Sequence, residues 1–179
     1  MNIVIKPYGR DLCYCRPDTT WEKEGRDFYV PESVEKVFWT PVVFARISKA
    51  GKCVGSKFVS RYYDGVGIGA LLYCGDEELA FSSCLDHTSL LPMPLYDPVV
   101  LDNQENGYSL GDIKGDLTGV KEILEDTVCK ASQRVSLRIG DIVAVELNSQ
   151  KILGERADGV KEFRGKFCSN MLFDLKIIF

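Results

Sequence analysis

Short runs rich in β-branched and aromatic residues recur along the chain, each closed by a turn signal: NIVI, DFYV, PVVFARI, GIGALLY, DIVAVEL, GKF and MLFDLKIIF. Runs this short are too brief for long helices, and their recurrence predicts a mostly β protein. One stretch departs from the pattern. LTGVKEILEDTVCKASQ sets Val120, Ile123, Leu124 and Val128 at helical spacing, which predicts one amphipathic helix packed on a sheet, with Thr118 as its N-cap. LDNQENGYSLGDIKGDLTG reads as turns, with Asn106-Gly107 as a candidate hairpin, and DHTSLLPMPLYDP reads as a proline-marked connector. No internal repeat, low-complexity tract or interdomain linker interrupts the 179 residues. The expected class is therefore α+β, mostly β, as a single domain over 1–179.

Charge narrows the partners. The 26 acidic and 22 basic residues are dispersed, with a net charge of −4, so there is no basic footprint for nucleic acid or an anionic membrane surface. Small molecules or proteins are the expected partners. No apolar run approaches the roughly 20 residues of a membrane span, and MNIVIKPYGR lacks a signal-peptide core, so the expected compartment is the cytoplasm. Seven scattered cysteines agree with a reducing compartment. Cys13 and Cys15 form a CxC, but His87 is the only histidine and no second paired ligand set for tetrahedral zinc is evident.

RYYDGVGIGALLYCGDEE, from Arg61, carries glycines at alternate positions. A dinucleotide fingerprint needs G-x-G-x-x-G at the turn from a strand into a helix, and a P-loop needs a following Gly-Lys-Ser/Thr. Gly65, Gly67 and Gly69 meet neither condition, and ALLYC after them is strand-like. The segment is expected to be a strand whose glycines admit close approach of other atoms, or a bulge.

Within GKCVGSKFVSRYYDGVGIGALLYCGDEE this segment resembles the central signature of short bacterial members of the fumarylacetoacetate hydrolase family. Other pieces follow in the same order: CRPDTTWEKEGRDFYVP, FWTPVVFARI, SLRIGDIVAVEL and VKEFRGKFCSNMLFDLKI. The similarity runs from about Cys13 to the C-terminus, with a gap-prone middle around 90 to 118. It implies a mixed β-roll, a homodimer, and chemistry on β-dicarbonyl or hydroxymuconate-type acids: C–C hydrolysis, isomerisation or decarboxylation assisted by Mg²⁺ or Mn²⁺. A hard cation there stabilises charge developing on the substrate's oxygens.

Carried over position by position, the family's chemistry is missing here. Its metal-binding Glu-x-Glu falls on Thr40 and Val42, and its third ligand, an aspartate, on Leu71. An arginine falls on Gly75, a lysine on Ser83, and a Gly-Thr loop on Val145 and Glu146. The N-terminal segment that often carries a histidine is shortened. Carboxylates sharing one pocket repel each other unless a cation neutralises them, so Thr, Val and Leu relieve that repulsion once the metal is dispensable. The expected function is a non-catalytic scaffold without a cofactor, binding a small carboxylic acid or a protein such as an active paralogue. The competing expectation is an active hydrolase, isomerase or decarboxylase using substitute ligands, with Mg²⁺ or Mn²⁺, or a metal-free tautomerase-like catalyst.

Residual cleft candidates are Arg16, Asp18, Asp76, Glu78, Asp86 and His87. Asp76, Glu77 and Glu78 read as a solvated turn or as part of a relocated metal site, although on a strand at most two could converge. His87 reads as a turn residue or as a general base oriented by a carboxylate, with Asp86 its neighbour. Cys74 and Cys84, in an acidic neighbourhood, are expected to be buried inert thiols. Arg16, where the family has lysine, could grip a ligand carboxylate bidentately or form a surface salt bridge, and the Arg16–Thr19 loop is expected to border the cleft.

Overall fold

The computed structural model describes residues 1–75, 82–103 and 105–179. Two long strands dominate it: β5 (Lys36–Ile47) and β6 (Tyr63–Cys74), antiparallel neighbours along nearly their whole length. Both are buried on both sides, which explains their near-continuous apolar sequence. They form the centre of an eight-stranded sheet in the order β2-β1-β10-β5-β6-β7-β3, with β11 also paired to β5. The flanking strands are β1 (Ile3–Lys6), β2 (Tyr14–Arg16), β3 (Trp21–Glu22), β7 (Ser89–Leu90), β10 (Ile142–Glu146) and β11 (Lys151–Glu155).

The order of β2 and β3 reveals the curvature. They stand at opposite ends of the strand order, yet only Pro17 and the turn Asp18–Thr20 separate them in the chain. The sheet must curl until its ends meet, which makes it a roll. Its convex face packs on a five-stranded sheet, β4-β13-β12-β8-β9, made of β4 (Phe28–Tyr29), β8 (Gly107–Leu110), β9 (Ile113–Asp116), β12 (Val160–Phe167) and β13 (Asn170–Ile178). Trp39, Val43, Ile68 and Leu72 meet Phe163, Phe173 and Leu175 there, with Trp39 edge-on to Phe163 at 4.8 Å.

Helix α1 (Val120–Arg134) closes the same core through Val120, Leu124, Val128 and Ala131. Two details of the sequence reading need correction. Ile123 is exposed, and the N-cap is Gly119 at φ +71, while the Thr118 backbone N–H is held by the Asp116 carboxylate at 2.9 Å. The turn-rich stretch after Leu101 holds a real hairpin, but it turns at Gly111 and Asp112, between Leu110 and Ile113, and Asn106-Gly107 only leads into β8. Glycine at 111, with φ +51, satisfies a left-handed backbone that asparagine at 106 was expected to supply.

The glycines of β6 do admit close approach. A Cβ on Gly69 would lie 2.2 Å from the Leu90 carbonyl oxygen of β7, and one on Gly67 would lie 2.4 Å from the Phe44 ring. No helix among the described residues is long and apolar enough to cross a membrane.

Candidate functional site: the concave face of the roll

Strand alternation sends Phe38, Thr40, Val42 and Phe44 of β5 to the inside of the roll. Thr40 is the register partner of Leu71, and Val42 pairs with Gly69, so Thr40, Val42 and Leu71 lie side by side. Each has 0% exposure. Ile3, Ile5, Leu91, Ile142 and Ala144 pack around Val42 and Leu71. The Thr40 hydroxyl donates to the Asn148 carbonyl at 2.6 Å. Mg²⁺ and Mn²⁺ are held through carboxylate oxygens together with waters and other oxygen ligands, and this trio offers no carboxylate and one hydroxyl already engaged elsewhere. The residues at these three positions do not fit such an ion.

Beside them lies a buried polar chain. Arg16, 1% exposed, sends Nη2 to the Leu72 carbonyl at 3.1 Å and Nη1 to the Thr88 carbonyl at 3.2 Å, with the Thr88 and Ser89 hydroxyls at 3.3 and 3.4 Å. Its guanidinium lies 4.4 Å from the centre of the Tyr73 ring, a cation–π contact. Arg16 Nε donates to the Tyr14 hydroxyl at 3.3 Å, the Tyr14 and Tyr73 hydroxyls are 2.6 Å apart, and the Tyr73 hydroxyl donates to Glu146 Oε1. Tyr73 has a single proton, so Tyr14 must donate to Tyr73, and every bond points from Arg16 toward Glu146. The Tyr8 backbone N–H reaches Glu146 Oε2 at 2.9 Å.

Burial governs the titration of this chain. It pushes the Tyr14 and Tyr73 hydroxyls above the ordinary phenol range, keeping both protonated. It also raises the Glu146 carboxyl, against the bonds from Tyr73 and Tyr8 that pull it down. Burial works against the Arg16 charge, but Tyr14 and Tyr73 outweigh it and leave arginine above its usual value. A buried cation and a buried carboxylate are thus linked through two hydroxyls, without direct contact.

The structure separates the residues singled out in the sequence. Arg16 forms no surface salt bridge: the curl of the sheet carries it inside, against backbone carbonyls that its fork of donors satisfies. Asp18 is exposed, 3.6 Å from the N-terminal ammonium. Asp76 and Glu78 lie outside the described residues. Gly75 is a turn at φ +86 whose N–H meets the Lys36 carbonyl at 2.9 Å, and Ser83 is fully buried. Val145 and Glu146 end strand β10, where the resemblance had assigned a loop.

Asp86 and His87 lie away from the roll interior, on the wall of an open cavity of about 410 Å³ bounded also by Asp27, Phe28, Tyr29 and Cys84. The carboxylate facing His87 is Glu22, not Asp86. His87 Nδ1 stands 3.1 Å from Glu22 Oε2, while Glu22 Oε1 accepts the Glu24 N–H at 2.8 Å. Glu22 is 5% exposed and the His87 side chain 54%, so a fixed carboxylate orients an accessible ring. Cys74 is buried as expected, its thiol pushed up to about 12 by burial, but Cys84 is only half-buried. Sequence reasoning missed Glu22, Tyr14 and Tyr73. Tyr73 was within reach, because it stands two residues after Leu71 on one strand and so shares its face.

No protein-family model and no curated sequence matches the chain. Solved structures do. A protein from Yersinia pestis CO92 assigned to the fumarylacetoacetate hydrolase family matches 99% of this chain and 92% of its own, with a TM-score of 0.80 at 12% identity. Fumarylpyruvate hydrolase from Pseudomonas aeruginosa, in complex with Mn²⁺ and pyruvate, matches 99% and 88% with a TM-score of 0.78 at 15% identity. Maleylpyruvate hydrolase from Sphingobium sp. SYK-6 matches 97% and 69% with a TM-score of 0.73 at 15% identity. The chain has the fold of fumarylacetoacetate hydrolase family proteins.

Proposed function

We propose that this chain keeps the roll of the hydrolases and isomerases it resembles and works as a non-catalytic binding or interaction protein in the cytoplasm. The supporting observation is the neutral, fully buried trio Thr40, Val42 and Leu71 at the positions that the resemblance assigns to metal ligands. The chain acts as a homodimer or beside an active paralogue, and takes a small carboxylic acid as its ligand. Calorimetry with Mg²⁺ and Mn²⁺, together with an acylpyruvate hydrolysis assay, tests the reading. Neither binding nor turnover is expected. Saturable micromolar uptake of either ion, or hydrolysis above the buffer rate, overturns it.

A second reading has one observation in its favour, the His87 ring held by Glu22 beside the open cavity. On that reading the protein is a metal-free catalyst in which the imidazole moves a proton of a β-dicarbonyl or hydroxymuconate-type acid. Tautomerisation of an acylpyruvate by the unmodified protein, lost in His87→Gln, would favour it over the first.

A further inference from the structure

The CxC of the N-terminal segment is absorbed by neither reading. Cys15 is the register partner of Val4 on the edge strand β2, and Cys13 immediately precedes that strand. Alternation sends Tyr14 and Arg16 into the roll, so Cys15 faces the other way, toward helix α1. Both thiols line one cavity of about 160 Å³ with Val4, Asp11, Lys130 and Arg134.

We infer that Cys13 and Cys15 form a binding site for a soft, two-coordinate thiophilic cation of the cuprous type. Ligand number selects the class. Among the described residues no three His, Cys, Asp or Glu side chains gather as a metal site, so the tetrahedral and octahedral geometries of zinc, magnesium and calcium are not served. Two thiolates satisfy an ion that prefers sulfur and accepts two ligands. A linear S–metal–S unit spans about 4.6 Å, twice a metal–sulfur bond of about 2.3 Å. Thiols on residues i and i+2 of extended backbone, at most about 6.6 Å apart at their Cα atoms, can close to that distance by rotating toward each other.

The surroundings suit the product. Binding follows Cu⁺ + 2 RSH → [Cu(SR)₂]⁻ + 2 H⁺, which leaves one negative charge. Lys130 is engaged by Asp11 and Asp126, but Arg134 has no ion-pair partner among the described residues and stands ready as the counter-charge. Thiolates rather than thiols ligate the ion, so uptake releases protons and strengthens with pH.

The test uses the whole protein under anaerobic conditions, competing for Cu(I) with its coloured bathocuproine disulfonate complex. Wild type should withdraw one equivalent with release of two protons. Cys13→Ser and Cys15→Ser should each lose that equivalent, whereas Cys53→Ser, at another exposed thiol, should retain it. No uptake by wild type, or uptake kept by either of the first two variants, overturns the site. A wild-type readout covers a variant that fails to fold. One equivalent of phenylarsine oxide should consume two thiols with loss of water, and mass mapping should place it on the peptide containing Tyr14; placement on any other cysteines overturns the proposal.

Discussion

The inside of the roll and the cavity beside His87 are built on opposite terms. Inside, Thr40, Val42 and Leu71 are sealed, and Arg16 is fastened to two other strands, through the Leu72 carbonyl of β6 and Ser89 of β7, and to Tyr14 on its own strand. At the cavity, Asp27 and Asp86 have no ion-pair partner among the described residues, and the His87 ring stands in solvent with one nitrogen tied to Glu22. The difference teaches where each region's side chains are committed. Donors and acceptors of the interior are spent on one another and serve stability; at the cavity the Asp86 carboxylate and the His87 ring are open to solvent.

The largest expected effect comes from breaking the inside. Arg16→Met takes a donor from the Leu72 and Thr88 carbonyls, the latter still accepting the Leu72 N–H, and leaves Glu146 without its distant cation; it should cost about 3–5 kcal/mol in denaturant unfolding, the scale for breaking a buried charge pair. A loss below about 1 kcal/mol would mean that the interior is not sealed in this way. Gly69→Ala comes next. Its methyl must displace backbone of β7, and the expected cost is about 1–3 kcal/mol on the scale of overpacking. An unchanged midpoint would show that β7 yields freely.

Glu146→Gln sharpens the contrast through pH. The folded carboxyl is raised above its ordinary value near 4.5, so the folded state holds its proton more tightly than the unfolded chain does. Stability from this group is fully present below that ordinary value and is lost as pH rises through the raised one. Wild type should therefore lose ground to Glu146→Gln as pH rises from below the ordinary carboxyl value through the raised one, as read from thermal midpoints at each pH. A constant difference would contradict the raised carboxyl. The smallest effect belongs to the cavity: His87→Ala, at a side chain mostly in water, should change stability by no more than about 0.5 kcal/mol, the usual scale for a surface substitution. A much larger loss would make His87 part of the framework.

Much of the frame was legible in the sequence. The runs PVVFARI and GIGALLY sit within β5 and β6, and the 3.6-residue spacing located α1, because burial imposes a period on side chains whatever the surrounding fold. The neutral residues at 40, 42 and 71 could also be read, since their chemistry is written in their side chains. What could not be read was placement. Arg16 looks like a surface residue in CRPDTTW, and only the curl of the sheet puts it against Leu72 and Thr88. Glu22 and His87 are remote in sequence and meet because β3 pairs with β7. Local periodicity carries no information about which strands will be neighbours.

The pairing of β1 with β10 sets a timetable. Ile3 to Lys6 leaves the ribosome long before its central neighbour, Ile142 to Val145, and β2 hangs on β1 alone in the strand order. Strand β1 must therefore wait, unpaired on its inner edge, until β10 has been synthesised. During that interval its apolar Ile3 and Ile5 are exposed, and the loop to be closed is among the longest that the chain allows. Closure of the roll is thus a late event, and a topology so dependent on distant pairings belongs with the slower-folding domains.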